Sequence, residues 1–323
     1  MNKDIPILII GAGSIGERHI RNLFSLGYQN LYVYRQRNLP YRDIGNAQPV
    51  IIMDWSEIVK LNAEIAFICT PTNQHLQQTA LCIEYGMHVF TEKPLSHTLE
   101  NFDSLRNVVQ HNHCFLQIGF MMRFHPAILK IKKIIESGIY GNLKSMSFHW
   151  GSYLPDWHPW EKYKESYAAN RSMGGGVALT LCHDIDLAIW LAGATLKSHS
   201  TKLIDVKELG IEAESIANIN LEFENQVTAF VHLNYIEKPP KHSYIFNFSD
   251  AIIEFDYFKN SIITKQEGNE LITPATEHTY ERNALFIDEL HAFISLISSQ
   301  NDAVAYSLNQ INESEQIIKI CTS

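Results

Sequence analysis

The sequence predicts an α/β protein in two parts: a doubly wound parallel sheet, then an α+β part built on a large, mostly antiparallel open sheet. Three observations carry this. Strand and helix patterns alternate through the first 120 residues. A glycine loop, Gly11-Ala12-Gly13-Ser14-Ile15-Gly16, joins the first strand to the first helix. From Ser198 to about Thr273 the chain reads as short strands joined by tight turns.

Taken in order, Ile5–Ile10 is a continuous apolar run that suits a strand buried on both faces. Ile15, Ile20, Leu23 and Phe24 then share one helix face, with Gly27 as a stop. Strands follow at Leu31–Tyr34, Ile65–Cys69, His88–Thr91 and Phe115–Phe120, with helices from Asn73, a plausible N-cap, to Tyr85 and over Leu99–Val109. After Arg123 the pattern changes. Pro126 opens a helix that ends at Gly138, a strand spans Leu143–Trp150, and Tyr153–Tyr167 is an irregular aromatic loop. Gly174–Gly176 leads into a helix running to about Leu191. The later turns, Glu224-Asn225, Ser249-Asp250, Lys259-Asn260 and Gly268-Asn269, are short enough to make sequential strands antiparallel. Two helices, about Asn283–Ser298 and Leu308–Ile320, close the chain.

At 323 residues and 46% hydrophobic content the chain suits two domains, expected at 1–122 and 123–323, where the C-terminal helix can pack back on the first. The net charge of −9 argues against a nucleic-acid partner, which needs a basic face. Five scattered cysteines without a CxxC pair suggest reduced thiols in a cytoplasm and no metal site. The apolar core of MNKDIPILIIGAG is too short for a signal peptide, and no apolar stretch of about 18 residues spans a membrane.

Placed between a strand and a helix, the glycine loop predicts a dinucleotide site of Rossmann type. Gly11 permits the tight turn, Gly13 lets the backbone approach a pyrophosphate, and Gly16 lets the helix pack close. Ser14 and Ile15 open the helix whose N–H groups face the phosphates. The second strand ends Tyr34-Arg35-Gln36-Arg37, with no acid until Asp43. Arg35 and Arg37 therefore favour the 2′-phosphate of NADP, with NAD as the alternative. Thr91-Glu92-Lys93-Pro94 lies at the C-terminal end of a predicted parallel strand, where open α/β sheets bind ligands. Pro94 fixes the backbone direction there and could be cis. Beside an oxidised nicotinamide a desolvated ammonium is disfavoured, which suits Lys93 to trade a proton with a substrate hydroxyl. A surface lysine at a strand end is the plain alternative.

GAGSIG at 11–16, CTPTNQH at 69–75, EKP at 92–94, RFHP at 123–126 and GGGVALTLCHDID at 174–186 together resemble the Gfo/Idh/MocA oxidoreductase family along the whole chain. The resemblance implies an NAD(P)-dependent dehydrogenase or reductase acting on a sugar, cyclitol or related polyol. By position, Lys93 matches the family's catalytic lysine and His183 its helix histidine. Thr180 stands where many members carry an aspartate, which weakens a proton relay that needs a carboxylate there, although its hydroxyl can still position substrate. Asp186 matches the structural HxxD position. Arg123 resembles an arginine at the edge of the family's cleft, so cofactor and substrate are both expected there. Thr70, Pro71, Asn73 and His75 fall on the loop that lines the cofactor in the family, together with Glu92. His125 is either a contact of the site or a structural turn histidine.

The segment YLPDWHPWEKYKESY at 153–167 packs six rings, counting His158, into fifteen residues. Tyr153, Trp157, His158 and Trp160 could wall the substrate by stacking on a sugar face or a base. A subunit contact is the alternative. This stretch resembles family members of bacterial surface-glycan pathways, which favours a nucleotide-linked sugar. Two readings follow. The first is an enzyme with Lys93 and His183 as acid/base pair and a small sugar or polyol substrate; within it, elimination or glycoside cleavage with bound NAD is a non-redox variant. The second is a non-catalytic dinucleotide-binding regulator of the same fold. A homo-oligomer, dimer or tetramer, is expected from the open sheet.

Overall fold

The structure, a computed structural model, describes residues 2–37, 39–158, 160–276, 281–299 and 301–323. The chain divides into two compact units: Met1–Gly119 with Phe286–Gln316, and Phe120–Leu285 with Ile317–Ser323.

The first unit is a six-stranded, wholly parallel sheet in the order β3-β2-β1-β4-β5-β6. Its strands are β1 (Ile7–Ile10), β2 (Leu31–Tyr34), β3 (Val50–Ile52), β4 (Ile65–Ile68), β5 (His88–Glu92) and β6 (Leu116–Gly119). The intervening helices are α1 (Ser14–Ser25), α2 (His75–Glu84) and α3 (Phe102–Asn112). Every residue of β1 and β4 is buried, as runs such as ILII and IAFI require of strands covered on both faces. Ile20 and Leu23 of α1 join Ile7, Ile9, Phe67 and Phe90 in one core, into which a later helix inserts Leu290 and Phe293.

Three sequence expectations shift here. Strand β3 was not foreseen: Val50-Ile51-Ile52 is apolar, but it is only three residues long and two of the three are exposed. Helix α2 begins at His75, after a 3-10 turn over Thr72–Gln74, so the exposed Asn73 is not its N-cap. Helix α3 begins at Phe102 and not at Leu99, because Asn101 adopts the left-handed conformation just before it.

The second unit holds an eight-stranded sheet in the order β14-β13-β12-β11-β7-β10-β9-β8. Its strands are β7 (Leu143–Gly151), β8 (Leu196–Ile204), β9 (Ile216–Phe223), β10 (Thr228–Asn234), β11 (Lys241–Phe248), β12 (Ile252–Asp256), β13 (Ser261–Gln266) and β14 (Asn269–Pro274). Sequential strands joined by the short turns pair antiparallel, as predicted, whereas β7 and β8, and β10 and β11, are not neighbours. The exception is the parallel pairing of β7 with β10, which are remote in sequence. One face is buried through Met146 and Phe148, Val231 and Leu233, and Tyr244 and Phe246. Helix α4 (Pro126–Ser137) starts with proline at its first turn and ends at Gly138 in the left-handed conformation.

The single helix expected after Gly176 is two: α5 (Val177–Thr180) and α6 (His183–Ala192), with a bend of 50° between the flanking helical segments. The break makes His183 the first residue of α6, with Asp184 and Asp186 in its first turn. The closing helices are α7 (Arg282–Ile297) and α8 (Ala303–Thr322). The second starts earlier than Leu308 because the Asp302 side chain accepts from the Val304 and Ala305 N–H groups.

Candidate active site

The sequence-predicted groups form one set in each unit. In the first, the C-terminal ends of β1, β4 and β5 stand in register, Ile10 beside Ile68 and Ile68 beside Thr91. The glycine loop, the turn after β4 and Lys93 therefore emerge along the same sheet edge. Strand spacing puts the first and last about 10 Å apart.

The three loop glycines are not equivalent. Gly11 has φ +95°, and a Cβ on it would lie 2.8 Å from the Cys69 carbonyl oxygen. A Cβ on Gly16 would lie 2.1 Å from the Gly11 oxygen, so α1 packs on the loop only without a side chain there. A Cβ on Gly13 would meet nothing within 4 Å. Two glycines thus serve the fold and the third leaves open space at the helix start. Gly13 is the N-cap of α1 and no side chain caps it, so the helix start suits a pyrophosphate. Ser14 is exposed and Ile15 packs against the core.

At the end of β2, Arg37 is exposed. Arg35 lies over the Tyr41 ring at 4.4 Å, with Nη1 donating to the Leu39 carbonyl at 2.6 Å. Asp43, the first acid beyond the strand, is held by Arg21 at 2.5 Å. Arg42, which sequence reading passed over, pairs with Glu17 in the first turn of α1.

After β4, Pro71 caps the 3-10 turn and the Thr70 hydroxyl donates to Gln78 Oε1 at 2.6 Å. His75 does not project toward solvent: it is 2% exposed, and its Nδ1 and Nε2 face the carbonyl oxygens of Pro94 and Thr70 at 2.8 and 2.7 Å. Burial holds its pKa below the usual histidine value, against the pull of the two carbonyls. Glu92 is likewise turned inward, its Oε1 lying 2.7 Å from Nε2 of the fully buried His19 on α1. The Lys93–Pro94 peptide is cis and Lys93 is half-buried.

In the second unit, Arg123 is committed to Asp186. Its Nε and Nη2 donate to the two carboxylate oxygens at 2.9 and 2.6 Å, a forked pair with the Asp186 side chain 1% exposed. His125 is buried, and its Nδ1 accepts from the Ala127 N–H to cap α4. Burial, then the neighbouring His242, lower its pKa to about 4. This histidine takes the structural of its two expected roles.

Thr180 and His183 are buried on either side of the helix break. Thr180 neighbours the buried Tyr235, whose phenol is pushed well above its usual pKa, first by burial and against the lowering influence of Thr180. Trp157 packs edge-on against the same Tyr235 ring at 5.2 Å, with its indole N–H donated to Ser152 at 2.8 Å. The tertiary structure thus joins Trp157 to Thr180 through a residue the sequence did not flag. His158 packs on Trp160 at 5.0 Å, Trp160 is 59% exposed, and Tyr153 carries Lys238 over its ring at 5.4 Å. Behind His183 lies Trp150, stacked on it at 6.2 Å and on His242 at 4.2 Å. Asp184 accepts from the Tyr244 hydroxyl at 2.7 Å, and His242 Nε2 lies 2.6 Å from the same hydroxyl. Trp150, Tyr235, His242 and Tyr244 sit on or beside strands whose pattern reads as ordinary core, so no motif marks them.

The GGG run is explained from outside itself. A Cβ on Gly175 would lie 2.2 Å from the Tyr167 oxygen, and one on Gly176 would lie 2.1 Å from Glu214 Oε1. Glu214 also accepts from the Val177 and Ala178 N–H groups at 3.1 and 3.3 Å, through its main-chain and side-chain oxygens. Burial raises its pKa.

Two family models match: an oxidoreductase family with an NAD-binding Rossmann fold over residues 5–120, and a GFO/IDH/MocA C-terminal domain over residues 128–254. The chain belongs to the Gfo/Idh/MocA oxidoreductase family. Within this family, the chain is 27% identical to an uncharacterized oxidoreductase YrbE of Bacillus subtilis, over 72% of this chain and 67% of that one. It is 28% identical to a levoglucosan dehydrogenase of Pseudarthrobacter phenanthrenivorans, over 59% of this chain and 52% of that one. A myo-inositol 2-dehydrogenase of Thermotoga maritima is also 28% identical, over 57% and 54%. The matched segments thus span about half the length of these two named dehydrogenases. Among solved structures, a levoglucosan dehydrogenase in complex with NADH matches at TM-score 0.78 and 17% identity, covering 98% of both chains. A UDP-N-acetylglucosamine 3-dehydrogenase from Acidithiobacillus ferrooxidans matches at TM-score 0.76 and 17% identity, covering 98% and 97%. Both likenesses are of fold.

Proposed function

We propose that this Gfo/Idh/MocA chain is an NAD(P)-dependent dehydrogenase or reductase acting on a CH–OH carbon of a sugar, cyclitol or nucleotide-linked sugar. The observation that carries the reading is the placement of Lys93 on the same sheet edge as an open glycine loop, at a spacing that suits one dinucleotide. A nicotinamide dinucleotide, when bound, supplies the hydride acceptor or donor. The N–H groups that open α1 hold its pyrophosphate, and Arg35 and Arg37 favour a 2′-phosphate over a bare ribose. Lys93 exchanges the proton of the substrate hydroxyl, assisted by His183, while Thr180 hydrogen-bonds the substrate. Trp157 and Tyr153 present ring faces to it. Relatives named for levoglucosan, myo-inositol and UDP-N-acetylglucosamine support this substrate class.

The test is a reduction assay at 340 nm with these three compounds, run beside Lys93→Met. Turnover with at least one compound, lost in the variant while NADPH still binds, is the expected result. Near-normal turnover of Lys93→Met would remove the acid–base role. Separate titrations with NADPH and NADH test the cofactor preference, and tighter NADH binding would reverse it.

A further inference from the structure

Two fully buried histidines flank Lys93 through its neighbours in sequence. On one side, His19 Nε2 lies 2.7 Å from the Glu92 carboxylate. His19 sits on α1, whose first turn opens at the glycine loop, and its ring packs against Phe67 and Phe90 at 5.3 Å each. On the other side, His75 Nδ1 and Nε2 lie 2.8 and 2.7 Å from the Pro94 and Thr70 carbonyl oxygens. Neither histidine can reach solvent or a ligand, so both act through other residues. A carbonyl oxygen only accepts, so each of these contacts is a bond only when the facing ring nitrogen carries hydrogen. A neutral His75 donates to one carbonyl at a time, and burial opposes the second proton that would fill both.

We propose that His19 and His75 are positioning residues for Lys93: they tie Glu92 to the phosphate-loop helix and, with the His75 proton on Nδ1, Pro94 to the start of α2. The lysine's main chain is then held in register with both ends of a bound dinucleotide. This rests on the reading of Lys93 as the proton-exchanging amine. A role limited to core packing predicts that an aromatic of similar size replaces either histidine without local effect. A positioning role predicts that the loss of N–H donors loosens residues 91–98 alone.

The experiment compares His75→Phe, His75→Gln and the unchanged protein. The readouts are amide hydrogen exchange of the peptide covering 91–98, NADPH affinity by fluorescence titration, melting temperature, and turnover of myo-inositol, levoglucosan and UDP-N-acetylglucosamine. His75→Phe should speed exchange of that peptide about tenfold over the rest of the first unit. It should leave NADPH affinity within about threefold and lower kcat roughly 10- to 100-fold, in the range of misplaced catalytic geometry. His75→Gln, which keeps N–H donors, should return exchange and kcat to within about threefold. Unchanged exchange in His75→Phe, or loosening spread evenly across the unit with NADPH affinity lost alongside, would overturn the proposal. If His75→Phe does not fold, His19→Phe read on the same peptide decides in the same way. Local loosening together with normal turnover of Lys93→Met would leave the clamp standing and remove the acid–base reading instead.

Discussion

In the first unit Lys93 is flanked by residues tied through buried imidazoles, two of whose three polar contacts go to main-chain carbonyls. In the second, His183 begins a helix whose first-turn carboxylates are held by other side chains, Asp184 by Tyr244 and Asp186 by Arg123. The difference predicts how each site fails. A contact to a carbonyl survives any change of the carbonyl's own side chain. A side-chain pair is lost when either member changes, and a carboxylate left buried alone is costly. Changes at Lys93 should therefore cost function before stability, and changes around His183 should cost stability together with function.

The largest effect separating the two is expected at Lys93. Lys93→Met should lower kcat by about 10³-fold, within the range for a lost general acid or base, with melting temperature and NADPH affinity nearly unchanged. A large loss of stability in that variant would break the comparison. Arg123→Ala is its counterpart. It leaves Asp186 buried without its forked partner and should destabilise the protein by about 3–5 kcal/mol, measured by urea unfolding. A loss below about 1 kcal/mol would mean that water reaches Asp186.

The pH dependence of stability sharpens the same point. The folded pKa of His125, about 4, lies below its unfolded value near 6.5, so the unfolded chain binds more protons between those pH values. Stability should therefore fall as pH drops through that window, by about 3 kcal/mol from this residue. His125→Asn, which keeps an acceptor for the Ala127 N–H, should remove that part of the acid slope when unfolding is followed at pH 4 and pH 7. The smallest structural effect is expected at Gly13. Gly13→Ala meets no atom within 4 Å, so stability should change by less than about 1 kcal/mol while NADPH binding weakens tenfold or more. Gly16→Ala drives a Cβ toward the Gly11 oxygen and should show the reverse order of losses.

Much of the first unit was legible in the sequence, because continuous apolar runs, helix stops and a glycine loop are local signals. Strand β3 escaped although Val50-Ile51-Ile52 is apolar, because three residues are too few to distinguish a strand from a loop. In the second unit the strands were legible as hairpins, but the β7–β10 parallel pairing was not, since their partnership is set by packing of distant segments. The site divides in the same way. Lys93, Thr180, His183 and the loop glycines carry motif spacing. His19, Trp150, Glu214, Tyr235, His242 and Tyr244 do not, because each matters through a neighbour remote in sequence.

The sequence by itself determined most of the order of elements, the glycine loop at a helix start, and the family whose pattern the chain follows. All of these rest on residues within a few positions of one another. Only the tertiary structure decided that His75 and Glu92 turn inward, that Arg123 belongs to Asp186, and that Gly176 yields its space to Glu214. The reason is physical: a buried polar atom must find its partner wherever the fold brings one, and chain order does not say where that is.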